Sequence, residues 1–307
     1  MADISTVETT LTVPDGVELY TKRWKPTGTA SSLLVFVHGF SDHCNAYGDL
    51  FPTFARKGIE VVSFDQRGWG RTSPSRPDHG QTGPTSLVIS DIASVIESVL
   101  PSPVPVFLMG HSMGGGEVLT FVDRGPPAIL SQIRGFLVEA PFIAFHPSTQ
   151  PTWIKVAVGR LAGKLLPRFQ LTNTIEPTLL SRDPQVQKDY VEDALCHDTG
   201  SLEGLAALIE RAEDLASGKV SVHEGRGEGG KTRLWVSHGT ADGVCDFDGT
   251  KKFVERTKLE DLTFKIYEGW YHKLHAEPGK DRETFAEDVT NWILERRDPE
   301  TTAKPML

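Results

Sequence analysis

Short apolar runs separated by helix-length stretches are what most limits how this chain can fold. Four fall in the first half, at residues 32–37, 59–64, 104–109 and 136–138, each closed by Gly, Asp or Pro. Runs this short, rich in Val and Phe and without polar alternation, are strands covered on both faces. Between them lie two helix-length stretches, 46–57 and 86–100. In the second, Ile92, Val95, Ile96 and Val99 recur at i, i+3, i+4 and i+7, and Pro101 stops the helix. Alternating strand and helix predict an α/β fold, a mainly parallel central sheet with helices on both faces.

That rhythm breaks after Pro141. Across residues 142–231 no strand-like run occurs, and Pro147, Pro151, Pro167, Pro177 and Pro184 divide helical segments. Strands resume at 233–237 and 263–267, with a helix at 248–256 between them and a closing helix at 282–297. The expectation is one core, residues 1–141 and 232–307, interrupted by a helical cap or lid over 142–231.

Charge and cysteine content narrow the function classes. Lys and Arg number 32 against 41 Asp and Glu, a net charge of −9, which speaks against nucleic acid as partner. Cys44, Cys196 and Cys245 form neither a disulfide framework nor a C-x-x-C pair, so a reducing, cytoplasmic setting is expected. The first residues, MADISTVETTLTV, lack a basic segment followed by an apolar one, and no run of about 18 apolar residues could span a bilayer. No N-x-[ST] sequon occurs either.

The sharpest local pattern is Gly110-His111-Ser112-Met113-Gly114, placed between the run ending at Met109 and a helix-like stretch. G-x-S-x-G needs small residues around the serine because the strand-to-helix turn is strained and brings backbone close. Ser112 then stands at a helix N-terminus, where backbone N–H groups can stabilise an oxyanion. A serine nucleophile needs a base, and the base an orienting acid, which on such a sheet follow later strands in the order Ser, Asp, His. Asp242 follows the strand at 233–237, with Asp246 and Asp248 near it; Asp248 is expected to cap the next helix. His272 follows the last strand, and His275 lies three residues on. A second oxyanion donor beside the Met113 N–H is expected after an early strand, where His38-Gly39-Phe40 offers the Phe40 N–H.

Other patterns carry less. His38 and His43 lack further ligands at zinc-like spacing, so no metal site is expected. The Asp65–Ser73 stretch, with glycines but no phosphate-loop lysine, reads as a structural loop in which Asp65 and Arg67 pair. Residues 225–232 satisfy G-x-x-x-x-G-K-[ST] but precede a strand and follow a helix, the reverse of the order phosphate binding requires.

Taken together, His38-Gly39-Phe40, Asp65-Gln66-Arg67-Gly68-Trp69-Gly70, Gly110-His111-Ser112-Met113-Gly114-Gly115, Ser181-Arg182-Asp183-Pro184, His238-Gly239-Thr240-Ala241-Asp242 and the Tyr267–Glu277 run resemble the monoacylglycerol lipase branch of the α/β-hydrolases. The resemblance spans roughly residues 15–297. It implies the α/β-hydrolase fold, Ser112 as nucleophile, Asp242 as acid, His272 rather than His275 as base, and Phe40 and Met113 N–H groups as oxyanion hole. Cys245 corresponds to a cysteine near the site in animal members. The implied reaction is hydrolysis of monoacylglycerols to glycerol and fatty acid through an acyl-enzyme, with no metal or organic cofactor. Broader carboxylesterase or lysophospholipase activity, acyl transfer, or a non-catalytic ligand-binding role are the alternatives. Departures lie in a longer loop near 217–231 and in the cap helices.

Within the cap, residues 152–166 place Ile154, Val158, Leu161 and Leu165 on one stripe, with Lys155, Arg160 and Lys164 largely off it. Such a helix could rest on a membrane or lipid droplet, or cover the acyl pocket, and both readings stay open.

Overall fold

The computed structural model describes residues 4–298, with all side chains except those of residues 153–156, 158 and 160. The chain opens with strands β1 (Ser5–Thr12), β2 (Glu18–Lys25) and β3 (Ser32–Val37), helix α1 (Leu50–Arg56) and strand β4 (Ile59–Phe64). Helix α2 (Thr85–Glu97), strand β5 (Val106–His111), helices α3 (Met113–Arg124) and α4 (Pro127–Leu130) and strand β6 (Ile133–Glu139) follow. Between β6 and the next strand of the sheet lie α5 (Trp153–Leu165), β7 (Gln170–Thr172), α6 (Pro184–Glu192), β8 (Thr199–Ser201) and α7 (Leu202–Ser217). The chain returns to β9 (Arg233–Gly239), α8 (Phe247–Arg256), β10 (Asp261–Tyr267) and α9 (Lys280–Glu295).

Eight strands form one sheet in the order β1-β2-β4-β3-β5-β6-β9-β10. From β4 to β10 every neighbour is parallel, and β1 and β2 add antiparallel pairs at one edge. Strands β3, β5, β6 and β9 are buried at every residue, as strands inside a sheet covered on both faces are. One core, including Val35, Leu108, Ile92 and Val118, lies on one face; the other holds Phe36, Phe51, Phe107 and Trp292.

Differences from expectation have local causes. Strand β1, Ser-Thr-Val-Glu-Thr-Thr-Leu-Thr, is almost wholly exposed and held by its ladder to β2, so it carries no apolar signal. Strands β7 and β8 pair in the insertion, where none was expected; three residues each are too few to show a period of two. Helix α8 is capped by Asp246, whose carboxylate accepts from the Gly249 N–H, and Asp248 sits in the first turn instead. Arg67 pairs with Asp91 and Asp15 rather than Asp65, whose carboxylate accepts from the N–H groups of Cys44 and Arg71.

Helix α7 packs on both α5 and α3. Its Leu215 joins the core shared with the sheet, and its Arg211 forms a buried ion pair with Glu117 of α3 at 3.0 Å.

Candidate active site

Residue Ser112 sits between β5 and α3 with φ of 56° and ψ of −118°, a left-handed backbone that strains any non-glycine residue. Its own main chain holds the turn: its N–H donates to the Glu139 carbonyl at 2.9 Å, and its carbonyl accepts from Phe142 N–H at 2.8 Å. The turn is as tight as the motif requires. A methyl on Gly114 would lie 2.2 Å from the Val37 carbonyl oxygen, so the end of β3 presses directly on α3.

Two loops converge on the serine. The Asp242 loop leaves β9 and the His272 loop leaves β10, and the parallel pairing of those strands brings both to one edge. The Ala241 N–H donates to the Trp270 carbonyl at 3.0 Å, tying the loops together. His272 Nε2 is 2.9 Å from Ser112 Oγ, and its Nδ1 is 2.8 Å from Asp242 Oδ2. All three residues are buried. With Nδ1 protonated toward the carboxylate, Nε2 presents its lone pair to the serine hydroxyl.

Asp242 is held as an anion. Its Oδ1 accepts from the N–H groups of Val244 at 2.7 Å and Cys245 at 2.9 Å, and His238 Nε2 lies 3.0 Å from Oδ2. Burial alone would push its carboxyl up, but His272 and His238 hold it well below the usual carboxylate range. Nothing local in the sequence marks the His238 contact, since this residue reads there as the one just past the strand at 233–237. Cys245 Sγ is 4.0 Å from Ser112 Oγ, and burial pushes this thiol well up, so it borders the serine hydroxyl as a neutral group.

Met113 is the first residue of α3, and the first N–H groups of a helix have no partner within it. Phe40 follows Gly39, where a methyl would lie 3.2 Å from Ser112 Cβ, so the loop after β3 passes beside Ser112. The structure therefore brings Ser112, Asp242, His272, Phe40 and Met113 into one neighbourhood. The rivals go elsewhere. Asp246 caps α8, and His275 turns its Nδ1 to the Glu139 carboxylate at 2.7 Å.

The segment between β6 and β9 holds the His272 loop in place. Lys273 N–H donates to Leu180 O at 2.7 Å, Ser181 Oγ donates to Ala276 O at 2.8 Å, and Arg182 pairs with the fully buried Glu277 at 2.9 Å. The Ser181–Pro184 stretch is thus a clasp under the His272 loop. An apolar cluster of Trp69, Met113, Phe142, Leu208, Ala212 and Cys245 joins the elbow to α7.

The remaining predicted residues have structural partners. His38 Nε2 accepts from Gln66 N–H at 2.9 Å, and His43 Nε2 is 2.8 Å from Asp193. No described helix is long and apolar enough to cross a membrane.

Comparisons with known proteins agree with the fold. A family model described as "Serine aminopeptidase, S33" matches residues 28–279. A "Putative monoglyceride lipase" of Schizosaccharomyces pombe is 32% identical over 94% of this chain and 74% of its own length. Among solved structures, a soluble variant of Saccharomyces cerevisiae monoglyceride lipase in complex with a substrate analogue superposes with a TM-score of 0.84. That match has 22% identity and covers 97% of this chain and 96% of that one. Paleococcus ferrophilus monoacylglycerol lipase gives a TM-score of 0.76 at 29% identity, over 91% and 99%. With matches of this extent, the chain belongs to the monoacylglycerol lipase family of the α/β-hydrolases.

Proposed function

We propose that this protein hydrolyses monoacylglycerols to glycerol and fatty acid, with Ser112, His272 and Asp242 as its catalytic triad. The observation that carries the reading is the unbroken hydrogen-bonded line from Ser112 Oγ through His272 to Asp242. Similarity to relatives named as monoglyceride lipases supports the substrate class.

In this mechanism Ser112 Oγ attacks the ester carbonyl while His272 Nε2 takes its proton. Asp242 fixes the tautomer and stabilises the imidazolium. The Phe40 and Met113 N–H groups take the oxyanion, an interaction worth about 3–4 kcal/mol per donor at the transition state. His272 then protonates the departing glycerol oxygen, and a water molecule, deprotonated by His272, releases the fatty acid. Ser112→Ala should abolish release of glycerol from monooleoylglycerol and labelling by a fluorophosphonate probe. Labelling of the alanine variant at another serine would refute the assignment.

Residues 142–231 act in this reading as a cap that meets lipid surfaces. Leu161, Leu165, Leu166, Phe169 and Leu171 are 43–75% exposed, beside exposed Lys164 and Arg168. Apolar area flanked by basic charge suits an anionic lipid interface. Of the expected stripe, the side chains of Ile154 and Val158 lie outside those described. Leu165→Asp with Phe169→Asp should lower co-sedimentation with phosphatidylserine vesicles and leave hydrolysis of a water-soluble nitrophenyl ester unchanged. Undiminished vesicle binding would defeat the interfacial role.

A further inference from the structure

A line of four rings, His79, His197, Trp69 and Phe40, runs from the half-buried His79 to the loop after β3. His79 stacks on His197 with centroids 3.8 Å apart and planes 6° apart, and His197 stacks on Trp69 at 4.8 Å and 7°. Trp69 in turn meets the Phe40 ring edge-on at 4.8 Å and 68°. The line joins three stretches of chain. Phe40 follows β3, Trp69 and His79 lie in the loop after β4, and His197 comes from the segment between β6 and β9, just before β8.

The two middle rings are fixed in place. His197 Nδ1 accepts from the Thr199 N–H at 3.2 Å and its Nε2 donates to the Gly68 carbonyl at 3.1 Å, so the neutral ring uses both nitrogens and its plane is set. Trp69 is buried, its N–H donating to Gln66 O at 2.9 Å and its carbonyl accepting from the Ser73 N–H at 3.2 Å. Backbone closes the seam beside them. The Ser201 N–H donates to Gly80 O at 3.0 Å, and a methyl on Gly80 would run into the Thr199 carbonyl.

A main-chain donor such as the Phe40 N–H is aimed by what holds the residues around it. On one side, the His38 carbonyl accepts from Gln66 Nε2 at 2.8 Å. On the other, Ser41 stands at a φ of 51°, a left-handed backbone that its surroundings must enforce, and its Oγ accepts from the Asp198 N–H at 2.9 Å. The two segments that supply Trp69 and His197 therefore also hold the backbone on either side of Phe40, while the stack holds its side chain. An oxyanion donor works only when it points at the place where charge develops, so a small tilt of this loop weakens the chemistry.

We propose that Trp69 and His197 are positioning residues for the oxyanion hole, the ring stack seating Phe40 so that its N–H faces the ester oxygen. The segment between β6 and β9 then takes part in the chemistry at one remove, besides bordering the site. This role rests on the reading of the Phe40 N–H as an oxyanion donor beside Ser112.

His197 reaches Phe40 through Trp69, which makes it the first residue to perturb. His197→Ala should lower kcat on a soluble nitrophenyl ester about tenfold with KM within about twofold, part of the roughly 10²–10³ that loss of a whole donor costs. The Ki of a trifluoromethyl ketone, whose adduct with Ser112 carries an oxyanion at the same place, should rise by the same factor. His197→Phe, which keeps a ring against Trp69, should recover most of both. Trp69→Ala should lose at least as much as His197→Ala, and the double variant no more than Trp69→Ala alone, because the two act along one line. Native kcat in a folded His197→Ala variant, a lowered kcat with unchanged Ki for the ketone, no recovery in His197→Phe, or additive losses in the double variant would each overturn the proposal. Should Trp69→Ala not fold, the His197 variants decide it. Fluorophosphonate labelling of Ser112 in the native protein together with native kcat in His197→Ala sinks this inference alone, whereas a native protein without esterase activity and unlabelled at Ser112 sinks the hydrolase reading beneath it.

Discussion

Replacing Asp242 by Asn tests the electrostatics of the site with almost no change of shape. The amide oxygen can keep the Val244 and Cys245 N–H groups that Oδ1 now accepts at 2.7 and 2.9 Å. The amide nitrogen then takes the place of Oδ2 and presents N–H groups to His272 Nδ1. That ring must move its proton to Nε2, so a donor faces Ser112 Oγ across 2.9 Å where an acceptor stood. The serine loses its base while substrate binding and the oxyanion donors remain. A wrong tautomer of this kind costs about 10⁴ in kcat, close to 5.5 kcal/mol at about 1.36 kcal/mol per decade. The assay is steady-state hydrolysis of monooleoylglycerol beside a soluble nitrophenyl ester, with circular dichroism to show the fold intact. A folded variant that keeps more than about a tenth of native kcat would refute the reasoning, because tautomer control could not then be what Asp242 supplies.

Two further perturbations bear on how the insertion is held. His197 stacks on His79 at 3.8 Å and on Trp69 at 4.8 Å, its Nε2 donating to Gly68 O and its Nδ1 accepting from Thr199 N–H. Burial, with His79 adding to it, pushes its pKa down to about 4, against an ordinary 6.5. The unfolded chain therefore takes up this proton first as pH falls, so its contribution is full above about 6.5 and is lost between there and about 4. Partial exposure limits the effect to about 1 kcal/mol, or roughly 2–3 °C in Tm at pH 5, and His197→Phe should flatten that part of the profile. An unaltered slope in thermal melts would disprove it. Arg211→Met should cost about 3 kcal/mol in urea unfolding, since it strands Glu117, whose carboxyl burial already pushes up to about 7. Adding Glu117→Leu should restore most of that stability, and purely additive losses would contradict the coupling.

Much of the sheet and the elbow was legible because both rest on strong local constraints. Strands such as β3 and β5 are covered on both faces, which demands unbroken apolar runs, and Ser112 needs the flanking glycines that its crowded turn requires. Asp242 and His272 could be placed because each lies just past a strand end. What stayed hidden depends on pairing across the chain. Strand β1 is defined by its ladder, Arg67 chose Asp91 over its near neighbour Asp65, and Glu139 reads in sequence as the last residue of a strand. No local pattern marks Glu139 or His238 as partners of the histidine and aspartate loops, because those contacts arise only when β6, β9 and β10 are laid side by side. The Asp246 cap differed from expectation by two residues for a simpler reason: three aspartates in one loop compete to start one helix, and the backbone turn decides.

The double packing of α7 bears on how such a protein can change substrate. A segment that merely sat over the site could be exchanged whole, but α7 is also the helix that carries the chain back across the sheet from β6 to β9. Its Leu215 fills the common core, and its Arg211 is buried against the elbow helix. Grafting from another member should therefore succeed when the joints lie near Ala144 and Arg168, before the Ser181–Pro184 clasp, and fail when they extend to Lys231. Evolution faces the same seam: the exposed stretch around α5 is free to drift, while the Ser181–Pro184 clasp and the last helix are bound to the inheritance of the sheet.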